Sequence, residues 1–147
     1  MSISNLLEKY FSIERASVFH YLDFQFDDGS SKDKFIITLN CKIFDDEVSF
    51  ILPTSQTTKS FYQDSKNLKD VVTIEKGESK FFHKKTFIDL KNIREEDLDF
   101  FKESFEIGNL NFLGKLEDEI FERIESTIRN SELIDDYLKD IYLCKMD

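Results

Sequence analysis

Residues 17–56, SVFHYLDFQFDDGSSKDKFIITLNCKIFDDEVSFILPTSQ, decide the fold. Val18, His20, Leu22, Phe24 and Phe26 alternate with Phe19, Tyr21, Asp23 and Gln25, the period of two that marks a strand. Aromatic side chains stand on both faces, so both are expected to be at least partly covered. Asp27-Asp28-Gly29-Ser30 follows, with turn-forming side chains and a glycine that can take positive φ, and predicts a hairpin. Phe35 to Phe44 is β-branched and aromatic, Asp45-Asp46-Glu47 makes a second acidic turn, and Val48 to Leu52 runs up to Pro53, the single proline. The stretch therefore predicts a three-stranded antiparallel meander.

Before the meander, Ile3, Leu6, Leu7, Tyr10 and Phe11 recur at helical spacing, with Ser2 as a cap, and predict a short amphipathic helix. After it, Thr54 to Asp70 is polar without a clean period and is read as a long loop, a kind of segment that often carries function. Val71 to Glu75 reads as a strand and Lys76-Gly77-Glu78-Ser79 as a turn. Lys80 to Leu90 reads as one bent strand or two short ones. From Asn92 the period becomes helical, with Glu95-Glu96-Asp97 in the first turn, Ile93, Leu98, Phe101 and Phe105 towards the core, and Gly108 as the stop. Leu110 to Gly114 is read as a connector. Leu116, Ile120, Ile124 and Ile128 mark a second helix, Asn130-Ser131 a break, and Glu132 to Leu143 a third helix. The wide apolar face of the third helix fits either its own core or an interface.

A chain of 147 residues with 16 Phe can build one core, and a single domain over residues 1–147 is expected. No basic-then-apolar leader and no apolar run near about 20 residues is present, which reads as a soluble cytoplasmic protein. Cys41 and Cys144 lack metal-ligand spacing and are read as free thiols rather than a disulfide or a metal site. No metal and no cofactor is expected. Nucleotide-binding glycine loops, the zinc-protease helix and the serine-hydrolase elbow are all missing.

The net charge of -10 is unevenly placed. Residues 95–147 hold 6 Lys/Arg and 16 Asp/Glu, which leaves residues 1–94 neutral with 14 of each. Within the neutral part, Lys76, Lys80, Lys84, Lys85, Lys91 and Arg94 face only Glu78 and Asp89, a local charge of +4. Such a stretch fits a phosphate backbone or a strand edge guarded by lysines.

The order of the meander resembles the PemK/MazF-like family, small SH3-like barrels that act as toxin endoribonucleases in toxin–antitoxin pairs. Phe19 to Phe26 resembles the family's first strand and Asp27 to Phe35 its acidic-Gly-Ser turn and basic step. Val48 to Gln56 is similar to the strand delivering Pro-Ile-Thr-Ser, here Pro53-Thr54-Ser55-Gln56. Lys85 to Leu90 is similar to a later Thr-x-Val/Ile-x-Leu strand, and Ile107-Gly108-Asn109-Leu110 with Lys115-Leu116 to the carboxy-terminal region. The family's Gly-Asp opening stands here as Ala16-Ser17 and its Arg-Pro as Lys34-Phe35. The resemblance spans residues 17–130.

Together with the helices read from periodicity, it implies a mainly β, α+β fold: an amino-terminal helix in 1–16, an antiparallel SH3-like barrel in 17–90 and a helical part in 92–147. It also implies metal-independent cleavage of single-stranded RNA by 2′-hydroxyl attack, restraint by an antitoxin, and a homodimer. Carried over by position, Lys34 takes the arginine's place and Thr54 the hydroxyl's, with Ser55 beside it. The residues taken alone allow the same chemistry, which needs a base, a group to hold the developing phosphorane charge and an acid. His83 or His20 could be the base, although His20 shares a face with Val18, Leu22 and Phe24 and also fits a structural role. The expected catalytic set is Lys34, Thr54, Ser55 and His83. The expected RNA-binding set is Lys32, Lys80, Lys84, Lys85, Phe61 and Tyr62, which supply phosphate contacts and stacking surfaces. The other reading is a non-catalytic barrel that serves as a protein-interaction module.

Overall fold

The computed structural model describes residues 14–39 and 47–144. The expected helix over residues 3–11 and the second acidic turn at Asp45-Asp46 lie outside them.

The antiparallel meander forms in sequence order, β1 (Ser17–Gln25), β2 (Ser31–Thr38) and β3 (Glu47–Ile51), but its second strand, expected over Phe35–Phe44, starts four residues earlier, and residues 40–44 lie outside the described ones. Gly29 takes φ 87° in the first turn, where Asp28 accepts hydrogen bonds from the Ser30 amide and hydroxyl. Two further strands join this sheet, β6 (Ile93–Asp97) beside β3 and β7 (Leu110–Lys115) beside β1, giving the order β6-β3-β2-β1-β7. Among the described residues, β6 and β7 are its two edges. β4 (Val71–Ile74) and β5 (Thr86–Asp89) form a second antiparallel sheet. The sheets are bridged where Thr54 and Phe87 exchange both backbone hydrogen bonds, at 2.9 and 2.8 Å. Three helices complete an α+β fold: α1 (Leu98–Glu106), α2 (Asp118–Asn130) and α3 (Asp136–Tyr142).

Both faces of the five-stranded sheet are covered, as the aromatics on both faces of its first strand require. On one face Phe19, Tyr21, Phe24, Ile36, Val48, Phe50 and Leu52 pack with Phe101 of α1. On the other, Val18, Ile37, Leu39 and Ile51 meet β4, β5 and the apolar stripe Ile120, Ile124 and Ile128 of α2.

Several expectations are corrected. Phe24 packs with Phe19 and Tyr21, not with Val18, because β1 carries a bulge between Tyr21 and Phe24. Asp23 takes φ 61° there, and its amide donates to Asp33 Oδ1 at 2.9 Å. One extra residue moves every later side chain to the opposite face. Glu95-Glu96-Asp97 belong to an edge strand rather than a first helical turn, since pairing of Ile93 to Asp97 with β3 overrides their local preference. The expected connector at residues 110–114 is β7, whose register shifts at Val18–Phe19 and so hides its period. The region read as helical therefore holds two strands. Lys80 to Lys85 is not strand, because the Lys80 amide is held by Glu117 instead of a ladder. Cys144, read as a free thiol, is disulfide-bonded; the chain's other cysteine, Cys41, lies outside the described residues. Near Cys144, Arg15 donates to both the Leu39 carbonyl and the Tyr142 carbonyl, a long-range link that cysteine spacing does not reveal.

Phe101 is 1% exposed, whereas Tyr137 on α3 is 67% exposed. Phe101→Ala should cost about 3–5 kcal/mol in urea unfolding, and Tyr137→Ala should stay within about 0.5 kcal/mol.

Candidate functional site

Three clefts adjoin along the face where β2, the segment after β3 and residues 80–86 meet. The first, about 300 Å³, is lined by Asp33, Lys34, Phe35, Pro53, Ser55, Phe81, Phe82, His83, Lys84 and Thr86. A second, about 560 Å³, shares Phe35, Phe81 and His83 with it and adds His20, Lys80 and Leu113. The third, about 200 Å³, shares Lys34 and Pro53 with the first; its other lining residues include Thr54, Lys59, Tyr62 and Arg94.

Their shape follows from local hydrogen bonding. Pro53 follows the end of β3, and the bridge to Phe87 fixes Thr54, which lines the third cleft, while the next residue, Ser55, lines the first. The Gln56 amide donates to Thr54 Oγ1 at 3.1 Å, leaving the hydroxyl proton to be donated to a ligand. Glu117 accepts from the Lys80 amide and from Ser79 Oγ, each at 2.8 Å, which turns Phe81 and Phe82 inward and leaves His83 and Lys84 exposed. Burial alone would raise the Glu117 carboxyl pKa; the hydrogen bonds from Lys80 and Ser79 hold it below its ordinary value.

All four residues expected to be catalytic line the connected clefts: Lys34 and Thr54 share the third, and Lys34, Ser55 and His83 share the first. Of the expected RNA-binding residues, Lys84, Lys80 and Tyr62 line the first, second and third clefts in turn. Lys32, Lys85 and Phe61 do not line these three. Lys85 lies over the Phe87 ring, and Phe61 carries the Lys91 ammonium 4.4 Å from its centroid.

Two cations in the third cleft were not expected there, Lys59 and Arg94. Arg94 stands on β6 opposite Phe50, its guanidinium 5.7 and 5.8 Å from the Phe24 and Phe26 ring centroids and 3.9 Å from the exposed Asp27 carboxylate. Arg94 is one of the six cations of the basic 76–94 stretch that fits a phosphate backbone, but its place beside the meander comes from the β3–β6 pairing. Lys34 is half-buried, and its pKa is lowered first by that burial and then by Lys32 and Lys59. An anion bound between these cations would relieve the crowding.

Tyr62 donates to Asp89 Oδ2 at 3.0 Å. Asp89 is itself buried and accepts from the Lys91 amide. No group of carboxylate, histidine and cysteine side chains among the described residues could hold a metal ion, and no described helix is long and apolar enough to cross a membrane.

A scan against protein-family models matches none, and no curated protein matches the chain. The geometry of the clefts is therefore what any functional reading must rest on.

Burial and the Asp89 carboxylate push the Tyr62 phenol up to about 12 from an ordinary value of 10.0. The fold thus favours the neutral phenol, a contribution fully present below pH 10 and lost as pH rises through about 12. Urea midpoints measured from pH 8 upward should fall across that window, and Tyr62→Phe should flatten part of the fall. At pH 8 the same substitution should cost about 1–3 kcal/mol, because buried Asp89 loses a donor.

Proposed function

We propose that the three clefts bind the sugar-phosphate backbone of single-stranded RNA and that the protein is a metal-independent, toxin-like endoribonuclease. One observation carries this reading: the lining contains five cations, Lys34, Lys59, Lys80, Lys84 and Arg94, against one carboxylate, Asp33, in a chain whose net charge is -10. The acidic last third contributes only Leu113 to that lining, although Glu117 bonds the backbone of Lys80 and Glu96 stands near Arg94. At ordinary ionic strength, charges beyond roughly 8–10 Å are largely screened.

In this mechanism the scissile phosphate lies at the wall shared by the first and third clefts. Lys34 and Arg94 hold its non-bridging oxygens as negative charge develops, and Thr54 donates its hydroxyl proton to the same oxygens. His83 takes the proton from the attacking 2′-hydroxyl, and Ser55 positions the ribose. The attack forms a 2′,3′-cyclic phosphate and breaks the bond to the 5′-oxygen, which leaves as a hydroxyl by taking a proton from water, while His83 later returns its proton to solvent. Arg94 supplies the planar, two-pronged phosphate contact that Lys34 cannot.

The sheet pair is read as an opened SH3-like barrel, supported by the Thr54–Phe87 bridge and by the core that both sheets share with α2. An antitoxin partner and a homodimer belong to the same reading and come from the family resemblance, and cytoplasmic action is in keeping with it. A non-catalytic interaction module is the second reading, favoured by the exposure of Leu133 and Tyr137 beside the acids of α3.

Purified protein should cleave single-stranded RNA in the presence of a chelator and leave 2′,3′-cyclic phosphate ends. Thr54→Ala and Arg94→Ala should each lower the rate by roughly 10²- to 10³-fold. Intact RNA after prolonged incubation with folded protein at high concentration would exclude the reading.

Lys34→Met should abolish cleavage while leaving the melting temperature equal or higher. The fold lowers the Lys34 pKa and so disfavours its charged form; an apolar replacement removes that cost at neutral pH.

A further inference from the structure

The clefts form a line, third to first to second, because neighbours share lining residues. The second cleft differs in chemistry from the other two. It contains both histidines of the chain, His20 and His83, with the rings of Phe35 and Phe81, one cation and no carboxylate. The His20 ring stands 5.1 Å from the Phe35 ring at 46°, and the Phe35 and Phe82 rings meet edge-on at 5.3 Å. The Lys80 ammonium lies 5.1 Å over the Phe81 ring. Leu113, 44% exposed, closes the far side from the bulge of β7.

Gly114 lies against this lining. Its φ of 147° disfavours a side chain, and a Cβ there would come within 3.2 Å of Phe81 Cζ, so the Phe81 ring would have to shift.

We infer that the second cleft is a nucleobase subsite, which holds a base displaced from the scissile phosphate along the strand and makes the protein selective for oligonucleotides over dinucleotides. The inference rests on the RNA reading above and deepens it. Rings of histidine and phenylalanine offer stacking faces to any base, imidazole nitrogens can hydrogen-bond a base edge, and Lys80 meets the phosphate beside it. Continuity with the first cleft through Phe35, Phe81 and His83 makes one strand the natural occupant of all three.

The test uses the full chain and 2′-O-methyl oligoadenylates of two, four and eight nucleotides, which lack the attacking hydroxyl, with binding read by fluorescence anisotropy. Affinity should rise about tenfold or more from two to four nucleotides, matching the stacking of one further base. His20→Ala and Leu113→Glu should each collapse that four-to-two ratio towards one, with circular dichroism melts confirming the fold of each variant. Binding that is equally tight at two and four nucleotides, or a ratio unchanged in both folded variants, would overturn the subsite while leaving the RNA reading intact. Absence of binding at every length would overturn both.

Discussion

The carboxylate of Glu117 holds the segment on which the candidate site depends. It takes the Lys80 amide and the Ser79 hydroxyl, each at 2.8 Å, and Ser79 Oγ in turn accepts from the Phe81 amide at 3.2 Å. These donors could otherwise have extended β5 backwards along the second sheet. Because those bonds keep the Glu117 carboxyl below its ordinary pKa, the carboxylate is ionised at neutral pH and the bonds are charge-assisted. The segment leaves the ladder, Phe81 and Phe82 turn inward, and Lys80, His83 and Lys84 remain exposed around the first and second clefts. A residue at the start of α2 thus shapes a surface built from β2 and the loop after β3.

Most of the fold was legible where one face of an element is buried over a regular period. The meander, Gly29 at positive φ, β4, the stop at Gly108 and the i, i+4 stripe of α2 all follow from such local patterns. The misreadings share a cause, pairing that is not local. Asp23 bulges because Asp33 on the neighbouring strand accepts its amide. Leu113 interrupts the alternation of β7 because β1 sets the register. Ile93 to Asp97 looks like a helix start in isolation, yet β3 offers it a ladder, and its carboxylates then suit an exposed edge that resists pairing with other chains.

The candidate site divides in the same way. Lys34, Thr54 and Ser55 are singled out by the family resemblance, Lys34 at the arginine's position, Thr54 at the hydroxyl's and Ser55 beside it. His83 stood out as a histidine among lysines and phenylalanines. Arg94 stood out only as one cation of the basic 76–94 stretch and Lys59 not at all, because the β3–β6 pairing and the loop between the sheets carry them to the third cleft. Lys85 and Phe61 had the right composition, but their side chains pair off with Phe87 and Lys91 instead.

Lys34 makes the functional reading more than a matter of surface charge. It is half-buried, flanked by Lys32 and Lys59, and forms none of the ion pairs found among the described residues. Elsewhere the chain matches its charges across elements: Arg15 with Glu125 at 2.9 Å, Arg123 with Glu78 at 3.0 Å and Lys69 with Glu132 at 3.3 Å. A protein with 30 carboxylates could readily have placed one beside Lys34. A cation kept partly desolvated, crowded by like charges and ion-paired with none of the described acids costs folding free energy. That cost has a physical rationale if the matching anion arrives from outside, and the adjoining Thr54 hydroxyl and Arg94 guanidinium are the donors that a phosphate would use.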